Sequence, residues 1–248
     1  MKIALITGAT SGIGLATAKK IAPKYKLILC GRRTEKLAEV AAQLSKITQV
    51  HTLSFDVANK DAVFNAITNL PNEWKNIEVL INNAGNAHGL ASFQDAELDD
   101  LEAMIDINVK GLMYVTKAVL PYLLQQKSGH IINLSSIAGK QVYANGATYC
   151  ASKWAVEALT KGMRLDLLPH GIKVTAVAPG AVDTEFSLVR FKGDAAKAAD
   201  VYKGYEPLVG EDIAETIAFV LDQPEHVQIA DITVFPKAQG DGRTFYRE

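Results

Sequence analysis

The sequence predicts a single doubly wound α/β domain carrying a seven-stranded parallel sheet flanked by helices, and three observations lead there. Seven short runs rich in Ile, Val and Leu recur along the 248 residues. Stretches of helical periodicity lie between them, so strand and helix alternate from end to end. The apolar runs are continuous rather than alternating, which is how parallel strands covered on both faces look.

The elements follow in order. Residues 2–6 form the first strand and run through Thr7-Gly8-Ala9-Thr10-Ser11-Gly12-Ile13-Gly14 straight into a helix over 12–22. A second strand at 26–30 precedes a helix at 34–44, with Glu35 suited to the positive end of its first turn. Strands at 50–55 and 79–81 bracket a helix at 60–69. The helical stretch 98–126 has apolar positions on more than one face, which suits burial against the sheet plus a subunit contact. Strands at 130–134 and 173–178 bracket a helix at 147–168. Residues 183–207 depart from the alternation and read as a substrate lid, before a helix at 211–221 and a last strand at 229–235. The domain thus takes in residues 1–248, and the tail beyond Pro236 follows no pattern.

Composition excludes several functions. Twenty-six Lys and Arg against 27 Asp and Glu give a net charge of -1 and no basic run, so nucleic acid is not an expected partner. No apolar run approaches the roughly 20 residues that span a bilayer, and no signal peptide is recognisable, so the expected location is cytoplasmic. Cys30, Cys150 and five scattered histidines show no metal-ligand spacing, and no metal is expected. Cys30 reads as core, Cys150 as packing, His130 and His170 as edge or cap residues, and Trp74 and Trp154 as core or interface.

The glycine-rich turn is the first chemical signal. Glycines let backbone approach a pyrophosphate, whose charge meets free N–H groups at a helix start, as in Rossmann-type folds. The spacing is G-x-x-x-G-x-G, and no Gly-Lys-Ser/Thr follows, so this is not a P-loop. At the end of the second strand, where an acid would mark NAD, stand Cys30-Gly31-Arg32-Arg33. Two guanidiniums suit the 2′-phosphate of NADP. Tyr149 and Lys153 fall at i and i+4 on one helix face, so an ammonium can favour the phenolate of a nearby tyrosine. Ser135-Ser136 close the fifth strand, where doubly wound folds place ligands.

Together with Asp56-Val57, Asn82-Asn83-Ala84-Gly85, Asn108, Pro179-Gly180 and Thr184, these residues make the chain resemble the classical short-chain dehydrogenases/reductases over essentially its whole length. The resemblance implies Tyr149 as acid/base and Ser136, thirteen residues before it, as the donor to the substrate oxygen. It implies that Lys153 lowers the phenol pKa and holds the nicotinamide ribose, and that Asn108 holds a proton-relaying water. Gly8, Thr10, Ser11, Gly12, Ile13 and Gly14 would cradle NADP with Arg32, Arg33, Asp56, Val57, Asn83, Ala84, Gly85, Tyr149, Lys153, Pro179, Gly180, Val182 and Thr184. A homotetramer is also implied.

The segments Leu70-Pro71-Asn72-Glu73-Trp74-Lys75-Asn76-Ile77 and Thr184 to Asp194 are similar to those of NADP-dependent 3-hydroxy acid dehydrogenases, which oxidise serine, allo-threonine and related β-hydroxy acids. The expected function is hydride transfer between NADP and such a small-molecule substrate; the alternatives are a broad carbonyl or 3-oxoacyl reductase and a catalytically silent NADP-binding regulator. Arg190, in the lid, is the candidate for the substrate carboxylate because a guanidinium binds carboxylate through two parallel hydrogen bonds; Lys192 is second, and pairing of Arg190 with Asp194 is the competing reading. His88 stands where an apolar residue is expected beside the cofactor groove.

Overall fold

The computed structural model describes residues 1–248. Seven strands form one parallel sheet: β1 (Lys2–Thr7), β2 (Tyr25–Gly31), β3 (Val50–Ser54), β4 (Ile77–Asn82), β5 (Gly129–Leu134), β6 (Ile172–Pro179) and, last in the chain, β9 (Asp231–Val234). Their order is β3-β2-β1-β4-β5-β6-β9. The chain winds outward from β1 in one direction and then restarts at β4 on its other side. A crevice opens at the carboxyl ends of these strands, where the winding reverses.

Continuous hydrophobicity has the cause inferred for it. Along β1, Ile3 and Leu5 face a core shared with α3 (Lys60–Thr68) and α5 (Leu112–Gln126). Ala4 and Ile6 face the opposite core, shared with α1 (Gly12–Ile21), α2 (Thr34–Leu44) and α9 (Gly210–Leu221). Each buried Ile or Leu contributes roughly 1.5–3 kcal/mol, so both sides of the strand hold it in the sheet.

The stretch 98–126 is not one helix. It divides into α4 (Leu98–Ile105), a π-helical turn (Asp106–Gly111) and α5. Two side-chain demands meet in that turn. Asn108 is drawn inward to bond the Asn86 peptide, while Gly111 packs so closely on Val57 that a Cβ there would stand 2.8 Å from Val57 Cγ2. Both contacts are made from within the wider π turn, a form that occurs mostly as single turns inside α-helices.

His130 is also corrected, from an edge or cap residue to an interior one. It is buried in β5, bonds Thr175 Oγ1 through Nε2 at 2.8 Å, and burial pushes its pKa down to about 3. Cys30 lies in the core with its thiol pKa raised by burial, and Cys150 packs beside Met104 and Ala138. Trp74 packs on the core and lies 5.4 Å from the His51 ring, whereas Trp154 is 48% exposed on α6 (Ala147–Leu167).

Residues 183–207 carry two short helices, α7 (Glu185–Arg190) and α8 (Ala195–Asp200). Their base is closed by an unanticipated pair of two-residue strands, β7 (Val182–Asp183) and β8 (Leu208–Val209), joined in parallel. The tail folds back over this segment. Gln239 is buried and accepts from the Ala181 amide at 2.8 Å, and the Glu248 amide donates to the Gly204 carbonyl.

Candidate active site

The crevice is a cavity of about 790 Å³, and its walls begin at the glycine-rich turn. Gly14 meets β1's end so closely that a Cβ would lie 2.3 Å from the Gly8 carbonyl oxygen. Gly8 itself has φ +66°, a left-handed conformation that side chains strain to adopt. Bare backbone therefore faces the cavity where α1 starts. No acidic side chain occupies that helix's first turn, and Ser11 at its N-cap makes no side-chain cap. The cradle fits the pyrophosphate of a dinucleotide, whose charge would meet free N–H groups there.

Thr7 and Asn83 fix this wall. The Asn83 and Ala84 amides each donate to Thr7 Oγ1 at 3.0 Å, and Asn83 Nδ2 returns to the Thr7 carbonyl at 2.9 Å. Asp56, Val57, Asn83, Ala84 and Gly85 all line the cavity, with Pro179, Gly180, Val182 and Thr184 across from them. Thr184 caps α7 through Phe186 N and leans on Gly12, where a Cβ would meet it at 3.2 Å.

Both arginines stand at the cavity's mouth, already oriented. Arg33 donates to Thr10 Oγ1 at 2.9 Å and Ser11 Oγ at 2.8 Å, and pairs with Glu185 at 2.8 Å. Arg32 pairs with Asp56 at 3.2 Å. Glu185, quoted only as part of the Thr184 to Asp194 segment, thus ties that segment to Arg33; its carboxyl pKa is lowered by the Arg33 hydrogen bond and by Lys36. No carboxylate stands at the end of β2 itself.

Deeper in, Tyr149, Lys153 and Ser136 converge. Ser136 begins the 3-10 turn Ile137–Gly139 and accepts from Ala138 N at 3.2 Å. Lys153 Nζ donates to the Leu134 carbonyl at 2.9 Å and lies 6.0 Å from the Tyr149 ring centre. Burial pushes the Tyr149 phenol up to about 12; Arg190 and a hydrogen bond with Ser136 pull the other way. Burial takes Lys153 down to about 8, opposed by Glu157. Arg190 is thus the cation that opposes burial most at the phenol in this arrangement. Asn108, 2% exposed, accepts from the Asn86 amide at 2.8 Å and donates to the Asn86 carbonyl and to Ser152 Oγ.

The lid places Arg190 over this centre. Its guanidinium carbon lies 5.0 Å from the Tyr149 ring centre and 5.2 Å from that of Phe186, and its Nε is buried without a partner. Asp194 pairs with Lys197 at 3.1 Å and caps α8, so the competing Arg190–Asp194 contact is not made. Lys192 turns outward to Asp100 at 2.8 Å and does not join the site. His88 bonds Asn86 Nδ2 through Nε2 at 2.7 Å and lines a small second cavity with Tyr149 and Arg190.

Some wall residues had no sequence signal. Tyr143 sits in a loop, its phenol pKa raised by burial and lowered by Arg190. Arg243, from the tail, lies 4.7 Å from the Tyr143 ring centre, and Arg247 packs on Tyr205 and Phe245. Phe186, quoted only as part of a lid motif, is tilted against Tyr149 at 5.9 Å.

The short chain dehydrogenase family model matches residues 2–194. An NADP-dependent 3-hydroxy acid dehydrogenase of Schizosaccharomyces pombe is 45% identical over 100% of this chain and 97% of its own. Sulfoacetaldehyde reductase 2 of Chromohalobacter salexigens is 44% identical over 96% and 95%. Among solved structures, the closed form of a serine dehydrogenase complexed with NADP+ superposes with a TM-score of 0.93 at 40% identity, covering 99% of this chain and 100% of that one.

Proposed function

The chain belongs to the short chain dehydrogenase family and is an NADP-dependent oxidoreductase acting on a CH–OH group; from that premise we propose that its substrates are β-hydroxy acids such as serine, allo-threonine or 3-hydroxypropionate. One observation carries the substrate class: Arg190, half-buried, with no acidic partner and with its Nε buried and unpartnered, stands over Tyr149 in the cavity that also holds Ser136. Such a group is an anchor for a substrate anion one short spacer away from the reacting carbon.

When bound, NADP accepts or returns the hydride. The turn from Gly8 to Gly14 would hold its pyrophosphate, and Arg32 and Arg33 would hold the 2′-phosphate. Asp56 and Val57 would flank the adenine, Asn83 to Gly85 would line the cofactor groove with Pro179, Gly180 and Val182 across from them, and Thr184 would meet the carboxamide. In oxidation the Tyr149 phenolate takes the hydroxyl proton and Ser136 donates to the substrate oxygen, a positioned base and a hydrogen-bond donor meeting the developing charge. Lys153 holds the ribose and supplies positive charge beside the phenol. Asn108 fixes the Asn86 peptide and would hold a water that relays protons. The protein acts in the cytoplasm as a homotetramer, for which the exposed apolar side chains Leu98, Trp154 and Leu165 offer contact surface. Light scattering on the purified protein gives the subunit count.

The test of function is a substrate panel followed by NADPH absorbance: serine, allo-threonine, 3-hydroxypropionate, 2-hydroxyethanesulfonate, simple secondary alcohols and 3-oxoacyl thioesters. Highest kcat/KM toward the β-hydroxy carboxylates supports the reading. Preference for neutral alcohols or for thioesters replaces it with a broad carbonyl or a 3-oxoacyl reductase, and preference for the sulfonate moves the substrate class. No turnover with any of them leaves an NADP-binding regulator.

A further inference from the structure

Glu157 lies one turn beyond Lys153 on α6, so the two share a helix face. Its carboxylate is 4% exposed, and neither oxygen takes part in a hydrogen bond. Lys140 approaches to 3.8 Å, but that ammonium is already held by both oxygens of Asp231 at 2.6 Å. Gly139 seals the place: a Cβ there would stand 2.8 Å from the Lys153 carbonyl oxygen, 3.0 Å from Glu157 Cγ and 2.7 Å from Ser135 Oγ, itself buried and unpartnered. The remaining cations on this side are engaged elsewhere, Arg164 with the Val174 and Ala230 carbonyls and Lys173 with that of Val227.

A carboxylate without hydrogen bonds is costly to bury, and an apolar side chain of similar shape packs there more favourably. Lys153 has the complementary difficulty. Its ammonium is buried with a single carbonyl acceptor, and Tyr149 is the other titratable group facing it. We propose that Glu157 is a positioning residue that supplies the buried countercharge of Lys153 and so keeps that lysine cationic while Tyr149 works. The field of Glu157 opposes the fall that burial imposes on the Lys153 pKa, in accord with this geometry.

The proposal rests on the reading of Lys153 as a cofactor-holding cation, and its test has one arm that does not. Glu157→Gln keeps the shape and removes the charge. In this variant the alkaline loss of NADPH affinity, followed by nicotinamide fluorescence, sets in about one pH unit lower than in wild type. Glu157→Asp, which keeps the charge, restores it toward the wild-type pH. A limb unmoved in Glu157→Gln overturns the proposal. The second arm is thermal and holds even where Glu157→Gln alone fails to fold: Lys153→Met leaves Glu157 only the distant Lys140, which Asp231 already holds, so Lys153→Met/Glu157→Gln unfolds at a higher temperature than Lys153→Met. A lower midpoint for the double variant overturns the proposal. Absence of NADPH binding in wild type defeats the cofactor reading instead, and the thermal comparison then judges Glu157 by itself.

Discussion

Arg190 covers Tyr149, with the guanidinium carbon 5.0 Å from the centre of the phenol ring, so a lid residue is the cation that acts most strongly on the buried hydroxyl. The proposed anchoring of a substrate anion and the lowering of the phenol pKa are separable in experiment. Arg190→Met is expected to raise KM sharply for carboxylate substrates and little for a neutral secondary alcohol, because lost ground-state binding appears in KM. It also removes a cation beside Tyr149, so the acidic limb of the oxidation profile moves to higher pH for both substrate types. Steady-state kinetics between pH 6 and 10 on one charged and one neutral substrate read both effects. Equal KM changes for the two substrates reject the anchoring role.

Tyr149→Phe removes the proton-accepting oxygen and little else. Turnover should fall about 10²–10⁴-fold, the usual contribution of a positioned acid/base, while NADPH binding stays close to wild type. Fluorescence titration with single-turnover kinetics separates the two, and retained turnover rejects the assignment.

Replacing Arg32 and Arg33 together by Ala should erase most of a preference for NADP over NAD. A hydrogen bond to a charged group is worth about 1.5–3 kcal/mol, so each lost phosphate contact costs roughly ten- to a hundredfold in the kcat/KM ratio of the two cofactors. Equal use of both cofactors by the wild type contradicts the NADP assignment at once.

Lys153 gives stability a particular pH dependence. Its folded pKa of about 8 lies below the ordinary lysine value, so between these two the unfolded chain binds more protons and stability rises with pH. The cost of burying the ammonium is full below about pH 8 and is relieved above it. The stability of wild type relative to Lys153→Met should therefore increase from pH 8 to 10, at most about 1.4 kcal/mol per pH unit, as measured by urea unfolding. A difference independent of pH contradicts a buried, titrating Lys153.

How far the sequence could be read depended on the length scale of the cause. Strands β1 to β6 and the turn at Gly8 to Gly14 are local: apolar runs and glycine spacing suffice to foresee them. Tyr149 and Lys153 could be paired because helical periodicity fixes neighbours four apart. The π turn could not be foreseen, since its cause is a long-range bond between Asn108 and Asn86, 22 residues apart. Tyr143, Glu185 and Arg243 stayed silent for the same reason. Each owes its place to another segment: Tyr143 to Arg190, Glu185 to Arg33, and Arg243 to the loop around Tyr143. His130 was misplaced because a histidine opening an apolar run looks exposed until the hydroxyl of Thr175, on the neighbouring strand, is known to satisfy it.

The short parallel pairing of Val182–Asp183 with Leu208–Val209 makes the intervening segment a cassette with fixed ends. Because its entry and exit are joined to each other, changes of length or composition between them do not shift the register of β6 or the start of α9. The entropy of closing such a loop grows only with the logarithm of its length, so insertions there are thermodynamically cheap. Grafting residues 191–207 from one homologue to another is thus expected to leave the sheet, the glycine-rich turn, Thr184, Glu185 and Arg190 in place.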